Sequence, residues 1–350
     1  MEPVRLGIIG CGVIGNHHAK SASESPDISL MAVADLREDV RNEIAKTYNV
    51  SKVYNDGKEL IANPDIEAVV LAMPTYLRFD LALEAFEKGK HVLTEKPVAM
   101  NIDEVKKLIA SRGKLIAGCC SSRYCFPEST KILTDFIAQG HLGNIRSIFV
   151  RAFSPARKKP DTSPPEWRLK RSLNGGGFLV NWGCYDLNYF LNITGWRLKP
   201  ELVLAQTWTI ADRLISHIPA GSDAETHYMA FIRCTDGAAI FMERGEYMPV
   251  QNKAIWQIVG DNGCLDLHMI PEKQKKIIFN KTDKNNGFTT DTIWEGDDDS
   301  SILHRGPVHD FANAIREGRQ PKTSLEQSLI IQKITDAIYT SAREGQAVKV

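Results

Sequence analysis

The sequence has no excess of either charge: 43 Lys and Arg stand against 43 Asp and Glu in 350 residues. That leaves no electrostatic footprint for nucleic acid or for an anionic membrane surface. Short basic runs such as Arg157-Lys158-Lys159 read as solvated loop. No apolar run approaches the ~20 residues a membrane helix needs. A strand is predicted from Val4 onward, which leaves no room for a secretory signal. Cysteines are few and unpatterned: seven, an odd number, with no Cys-x-x-Cys pair. This composition predicts reduced thiols, a cytoplasmic protein and no zinc site. His17 and His18 are adjacent on a predicted helix and point in different directions, so they do not form a metal clamp. No fixed-period repeat is present. The apolar fraction of 43% and charged fraction of 25% suit a soluble globular chain, and the length suits two domains.

The N-terminal third alternates strands and helices. Val4–Ile9 is a short apolar run of the kind buried on both faces of a parallel sheet. Gly10-Cys11-Gly12-Val13-Ile14-Gly15 follows and opens a helix at about Val13. Gly10 allows a tight turn, Gly12 lets a pyrophosphate approach the backbone, and Gly15 lets helix and strand pack closely. A helix N-terminus then offers N–H groups to the phosphates. The predicted strand Ile28–Ala34 ends in Asp35, twenty residues after Gly15. A carboxylate there accepts from ribose hydroxyls and repels a 2′-phosphate, which favours NAD over NADP. Leu36 and Arg37 lie beside it, and Arg37 is the feature that argues for NADP. The competing reading of Asp35 is a cap for a helix over Arg37–Tyr48.

Strands are predicted at Glu67–Ala72, His91–Thr94 and Lys114–Ala117, with helices at Leu77–Lys88 and Ile102–Ala110. This alternation predicts a doubly wound parallel sheet. The loop Met73-Pro74-Thr75-Tyr76 lies at a strand's carboxyl end and is expected over the nicotinamide side of the cofactor. Glu95-Lys96-Pro97 closes the next strand. A lysine at the carboxyl end of a strand in an open sheet faces the ligand crevice, and Pro97 stops the strand.

After Gly118 the pattern changes. A helix is predicted over Pro127–Gln139 and a strand over Ile145–Phe153. The stretch Ser154–Arg171 is long, basic and Pro-rich, and contains Trp167 and Arg168. Loops of that length are usually functional or disordered. Gly175-Gly176-Gly177 opens a helix on which Asn181 and Tyr185 are four apart and share a face. Strands are expected at 201–209, 225–233, 237–244, 253–260, 263–268 and 274–280, separated by turns, hence mostly antiparallel. Helices at about 302–316 and 324–344 close the chain.

Over nearly its whole length the chain resembles the Gfo/Idh/MocA family of nicotinamide-dependent oxidoreductases. The resemblance rests on the Gly10–Gly15 motif, Glu95-Lys96-Pro97, the Gly175–Asp186 stretch and the tail Phe311–Val350. Glu-Lys-Pro is its specific element. It implies a Rossmann domain, expected at 1–122, and a substrate-binding and oligomerisation α/β domain with a large open sheet, expected at 123–350. It also implies a homodimer or homotetramer and redox chemistry at a secondary hydroxyl of a sugar, glycoside or cyclic polyol. Oxidation at C3 of a glucoside is one activity the family suggests.

Most members carry Asp and His where this chain has Asn181 and Tyr185. Tyr there is similar to the branch with glucose–fructose oxidoreductase, xylose dehydrogenase and dihydrodiol dehydrogenase. That branch keeps the Asp, so Asn181 departs from both patterns. An amide hydrogen-bonds a hydroxyl but is no general base. Thr75 and Arg78 replace the family's usual Asn and His.

The expected roles follow. Tyr185 carries the proton, with Lys96 lowering the phenol pKa from ~10 and hydrogen-bonding the developing oxyanion. The rival assignment makes Lys96 the base. Asn181 orients a neighbouring hydroxyl. Arg123, Tyr124, Trp167 and Arg168 are candidate substrate contacts, although surface loop explains Trp167 and Arg168, and core packing explains Tyr124, about as well. The Gly10–Gly15 residues, Asp35, Leu36, Arg37, Met73–Tyr76, Glu95 and Lys96 are candidate cofactor contacts. Two other functions compete: glycoside cleavage through transient oxidation by NAD, and a sugar- or NAD-sensing regulator without turnover.

Overall fold

The structure, a computed structural model, describes residues 2–251 and 254–350. In chain order the first elements are β1 (Val4–Ile9), α1 (Val13–Ser23), β2 (Ile28–Ala34), α2 (Glu38–Tyr48), β3 (Lys52–Tyr54), α3 (Gly57–Ala62) and β4 (Ala68–Leu71). α4 (Arg78–Glu87), β5 (His91–Thr94), α5 (Ile102–Arg112) and β6 (Ala117–Cys119) follow. These strands form one parallel sheet in the order β3-β2-β1-β4-β5-β6. The order reverses beside β1, and ligands of doubly wound sheets bind at that reversal, off the carboxyl ends of the strands.

The sheet is buried on both faces because its strands are almost entirely apolar. Leu6, Ile8, Val33 and Val70 pack on one side with Ala19 and Ala22 of α1. Ile9, Val69, Leu71 and Val92 pack on the other with Leu60, Ala82, Ala85 and Leu108. Burying each of these Leu, Ile and Val side chains contributes ~1.5–3 kcal/mol.

The chain continues through α6 (Glu128–Ala138), β7 (Ile145–Pro155), the one-turn α7 (Arg171–Asn174), a π-helical turn at Leu179–Gly183, and α8 (Cys184–Ile193). Strands β8 (Pro200–Trp208), β9 (His227–Cys234), β10 (Ala239–Met248), β11 (Ile255–Gly260), β12 (Gly263–Leu267), β13 (Lys275–Asp283) and β14 (Gly287–Gly296) follow, then α9 (Ile302–Glu317), α10 (Leu325–Glu344) and β15 (Val348–Lys349). The second sheet has nine strands in the order β14-β13-β12-β11-β7-β10-β9-β8-β15. It is antiparallel except at the β10–β7 pair. The predicted strand 253–260 begins at Lys253, which lies outside the described residues; from Ile255 it is present.

Two compact units result: 1–123 with 301–332, and 124–300 with 333–350. The sequence division into 1–122 and 123–350 places 301–332 with the second domain instead. The physical reason for the difference is packing. Val308, Phe311, Ala312 and Ala314 of α9 share a core with Leu6, Ile8 and α1. Cys119 N–H also donates to Thr323 O at 3.0 Å.

Candidate functional site

The glycine turn is built as its spacing predicts. Gly10 has φ +94°, and a Cβ there would stand 2.7 Å from Ala72 O. A Cβ on Gly15 would stand 1.8 Å from Gly10 O, so any larger residue forces α1 off β1. At Gly12 the nearest atom to an added Cβ is Arg37 Nη2, at 3.7 Å. The first turn of α1 has no side-chain cap and no acidic residue. Its N–H groups are therefore offered outward, the arrangement that receives a phosphate. Val13 and Leu36 flank the turn with 78% and 84% of their surface exposed, an apolar margin that a bound adenosine would cover. Ile14 is half-buried. These residues fit a dinucleotide.

Asp35 is held rather than loose. Its carboxylate accepts from Cys11 N at 2.7 Å and Arg37 N at 2.9 Å, and pairs with Arg37 Nε at 3.3 Å. Burial pushes its pKa up, but these bonds outweigh that and hold it below the ordinary carboxylate value. The Cys11 thiol is buried and pushed up to about 12 by desolvation and by Asp35, so it is inert. Cys11 acts through its backbone.

In the loop after β4, Thr75 and Arg78 are both 1% exposed. Arg78 donates to Thr75 Oγ1 at 2.8 Å, to Thr94 Oγ1 at 3.3 Å, and to Glu95 O. One guanidinium thus ties together the carboxyl ends of β4 and β5. Met73 and Pro74 are half-buried, and Tyr76 is 45% exposed. The side chains of this loop available to a ligand are those of Met73, Pro74 and Tyr76.

Glu95 is 6% exposed. Its Oε1 accepts from Arg123 Nη2 at 3.0 Å and from His18 Nε2 at 2.9 Å, and its Oε2 from Lys96 N at 3.1 Å. Burial raises its pKa, but Arg123, His18 and Lys96 together hold it well below the ordinary value. The carboxylate and its partners fix the turn that presents Lys96, whose peptide bond to Pro97 is cis. Lys96 itself is partly exposed. Arg123 is the counter-ion of Glu95.

His18, Glu95 and Cys120 also bring one ligand atom each to within 4.8 Å of one another. Arg123 already neutralises Glu95, and burial, then Glu95, push the Cys120 thiol well up. A thiol held protonated and a carboxylate already paired with Arg123 make a poor cation site.

In the second unit, three buried features organise the helix that carries Asn181 and Tyr185. Gly176 and Gly177 are needed because an added Cβ would meet Tyr339 Oη at 1.9 Å and Glu225 O at 2.0 Å. The Glu225 carboxylate accepts from Gly177 N at 3.1 Å, Leu179 N at 2.9 Å and Tyr339 Oη at 2.8 Å. It caps the π-helical turn, a distortion common at functional sites. Asp186 accepts from Trp256 Nε1 at 2.9 Å and from Arg244 Nη2 at 2.9 Å, and the Arg244 guanidinium lies 5.0 Å from the centre of the Trp182 ring.

Tyr185 is 4% exposed and its ring meets the edges of Tyr124 at 5.1 Å and Trp182 at 5.9 Å. Tyr124 is buried beside it. Asn181 donates from Nδ2 to Arg168 O at 3.3 Å. Asn181, Tyr185, Tyr124 and Arg168 therefore form one neighbourhood, and half-buried Trp167 adjoins it in sequence. Lys96 and Arg123 belong to the first unit.

The sequence gives no role to His18 or Asp186, which it names, and does not mark Glu225, Arg244 or Glu246. Arg78 stood out as a departure from the family pattern, but without a role. A buried ion leaves no periodic trace; the available signal was polar residues inside otherwise apolar helical stretches.

Comparison with known proteins bears on the family and the fold. The profile of the oxidoreductase family with an NAD-binding Rossmann fold matches residues 4–115, and that of the family's C-terminal alpha/beta domain matches residues 135–350. Levoglucosan dehydrogenase of Pseudarthrobacter phenanthrenivorans is 24% identical, over 100% of this chain and 99% of that protein. The scyllo-inositol 2-dehydrogenase (NAD(+)) of Bacillus subtilis is 23% identical, over 99% and 96%. A levoglucosan dehydrogenase solved with NADH and levoglucosan superposes with a TM-score of 0.84 at 22% identity, covering 100% of both chains; at that identity the likeness bears on fold.

Proposed function

Because the chain belongs to the oxidoreductase family with an NAD-binding Rossmann fold and a C-terminal alpha/beta domain, we propose that it oxidises a secondary hydroxyl of a sugar, glycoside or cyclic polyol with NAD. The observation that carries this reading is the uncapped glycine turn at the N-terminus of α1, which offers its N–H groups to a phosphate. Relatives named for levoglucosan and scyllo-inositol support the substrate class.

NAD supplies the hydride acceptor. The N-terminus of α1 binds the pyrophosphate, Asp35 accepts from the adenosine ribose, and Met73, Pro74 and Tyr76 line the nicotinamide side. Tyr185 takes the hydroxyl proton. The ammonium of Lys96 stabilises charge on the reacting oxygen. Asn181 orients a neighbouring hydroxyl. Glu95, through its three donors, is a positioning residue for Lys96.

The test incubates the protein with NAD and a panel of sugars, glycosides and inositols, following absorbance of the reduced nicotinamide with mass spectrometry of products. Tyr185→Phe should keep NAD affinity and lose ~10²-fold or more in turnover, the scale of general acid–base catalysis. Near-normal turnover removes Tyr185 from the mechanism. A cleaved glycoside without net reduced nicotinamide replaces the dehydrogenase with a transient-oxidation hydrolase. Binding of NAD and sugar without turnover replaces it with a sensor.

A cytoplasmic location is supported by seven cysteines in the free state. No described helix is long and apolar enough to cross a membrane. A homodimer or homotetramer through the second sheet is supported by one apolar row across it: Leu204, Phe231, Phe241 and Phe149 are register neighbours on β8, β9, β10 and β7. Leu204 and Phe231 are 51% and 49% exposed, and Phe241 stacks on Phe149 at 4.8 Å. A contiguous apolar patch on a sheet face marks an interface.

A further inference from the structure

β10 is irregular at its end. Its register against β7 shifts between Gly245 and Met248, and Tyr247 has φ +59°. A bulky residue in that region is strained by ~1–3 kcal/mol and persists where the surroundings hold it. Such irregularities re-aim side chains and gather next to active sites. Glu246 sits inside this one. It is 8% exposed, and its Oε2 pairs with Arg168 Nη2 at 2.6 Å. Its Oε1 is buried with no hydrogen-bond partner. An unmatched buried carboxylate oxygen is costly, which makes it a place for a donor from outside the protein. Burial pushes the Glu246 carboxyl above its ordinary value although Arg168 opposes that.

Arg168 is the other half of the feature. Its side chain is 25% exposed, and it also engages Tyr247. Its carbonyl oxygen takes the Asn181 amide. The Glu246–Arg168 pair therefore lies one residue away from the helix face that carries Asn181 and Tyr185. An isolated arginine at such a place would select a carboxylate or phosphate. This one already has its counter-ion.

We propose that Glu246, Arg168 and Tyr247 form a charge-compensated subsite that grips adjacent neutral hydroxyls beyond the reacting carbon and excludes carboxylated or phosphorylated sugars. The guanidinium donates to one hydroxyl oxygen, and Glu246 Oε1 accepts from the next hydroxyl. Glu246 is thereby a specificity-determining residue. The substrate is a neutral polyol or glycoside with a vicinal diol. A second negative charge would meet the Glu246 carboxylate, and specificity of this kind uses repulsion as much as attraction. The inference rests on the polyol dehydrogenase reading and deepens it.

The test measures both turnover with NAD and ligand binding by calorimetry in the presence of NADH. The probes are methyl glucoside, methyl glucuronoside, methyl glucoside 6-phosphate and scyllo-inositol. The wild type should favour the neutral ligands over the anionic ones by tenfold or more in KM and Kd. Glu246→Gln leaves Arg168 uncompensated and should shift that ratio at least tenfold toward the anions, acting on KM more than kcat, with NAD affinity unchanged. Adding Arg168→Gln to it should abolish the anion preference. Equal binding of neutral and anionic ligands by the wild type overturns the subsite, as does a Glu246→Gln ratio that does not move or a panel in which no polyol binds. Selective binding of neutral ligands, with the expected shift but without turnover, keeps the subsite and overturns the dehydrogenase reading alone.

Discussion

Replacing Glu95 by Gln tests the reasoning about the first unit most directly. The carboxylate neutralises Arg123, which is itself 8% exposed, and accepts from His18 and from the Lys96 backbone. Gln is nearly isosteric, so little packing is lost. What remains is an uncompensated buried guanidinium, and breaking a buried pair on one side costs ~3–5 kcal/mol. At ~2–4 °C per kcal/mol for a domain of this size, the melting temperature should fall by roughly 10 °C. The double variant Glu95→Gln with Arg123→Met removes both charges and should recover most of the loss, because a whole buried pair is often replaceable without cost.

The pH dependence has a definite sign. The Glu95 pKa is held well below its ordinary value in the folded protein. Its contribution is therefore complete above the unfolded carboxyl's pKa of ~4.3 and fades as pH falls through the depressed folded value. The wild type should lose stability between about pH 5 and 2 more steeply than the double variant. The assay is thermal and urea unfolding of NAD-free protein across that range. A Glu95→Gln loss below ~1 kcal/mol, the scale of an exposed pair, refutes the account. So does a double variant no better than the single.

Three further outcomes are expected. Gly15→Ala places a Cβ 1.8 Å from Gly10 O; it should abolish NAD binding and lower the stability of the first unit, as read by titration and unfolding. Lys275 and Asp298 pair at 2.7 Å with exposures of 1% and 0%, so Lys275→Met should destabilise the protein by ~3–5 kcal/mol in urea unfolding and leave NAD affinity unchanged. Phe231→Asp puts a charge into the exposed apolar row of the second sheet and should reduce the mass seen by light scattering; a wild type that is already monomeric at micromolar concentration removes the proposed interface.

The parts legible in the sequence were those with strong local grammar. β1 and β5 fall on their predicted residues, and α1 starts where the glycines place it. The helix after Gly177 was legible too, but its first turn is π-helical and bonds through Leu179 N to Glu225, far along the chain. β3 and α3 escaped prediction because three and six residues are too short to show a period. β14 escaped for another reason: it is an edge strand exposed on most of both faces, so no apolar alternation marks it. The last sheet strand of the first unit, expected at Lys114–Ala117, runs instead at Ala117–Cys119, where Cys119 bonds to Thr323. At the site, the lysine, tyrosine and glycines announce themselves by type. Arg78, Glu95 and Glu246 matter through partners distant in sequence, and a single chain read residue by residue does not carry that pairing.

The return of α9 to the first unit has a consequence for synthesis. Val308, Phe311 and Ala314 complete the core around Leu6 and Ile8, so the sheet that is made first is among the last parts to be finished. While the intervening residues emerge, one face of that sheet is covered only in part, by α1 and α2. Contacts this far apart in sequence slow folding and leave apolar surface open to aggregation. A ribosome pausing shortly before α9 would hold a chain with every strand but β15 made and the older sheet still missing part of its cover, and chaperone occupancy on the nascent chain should peak there.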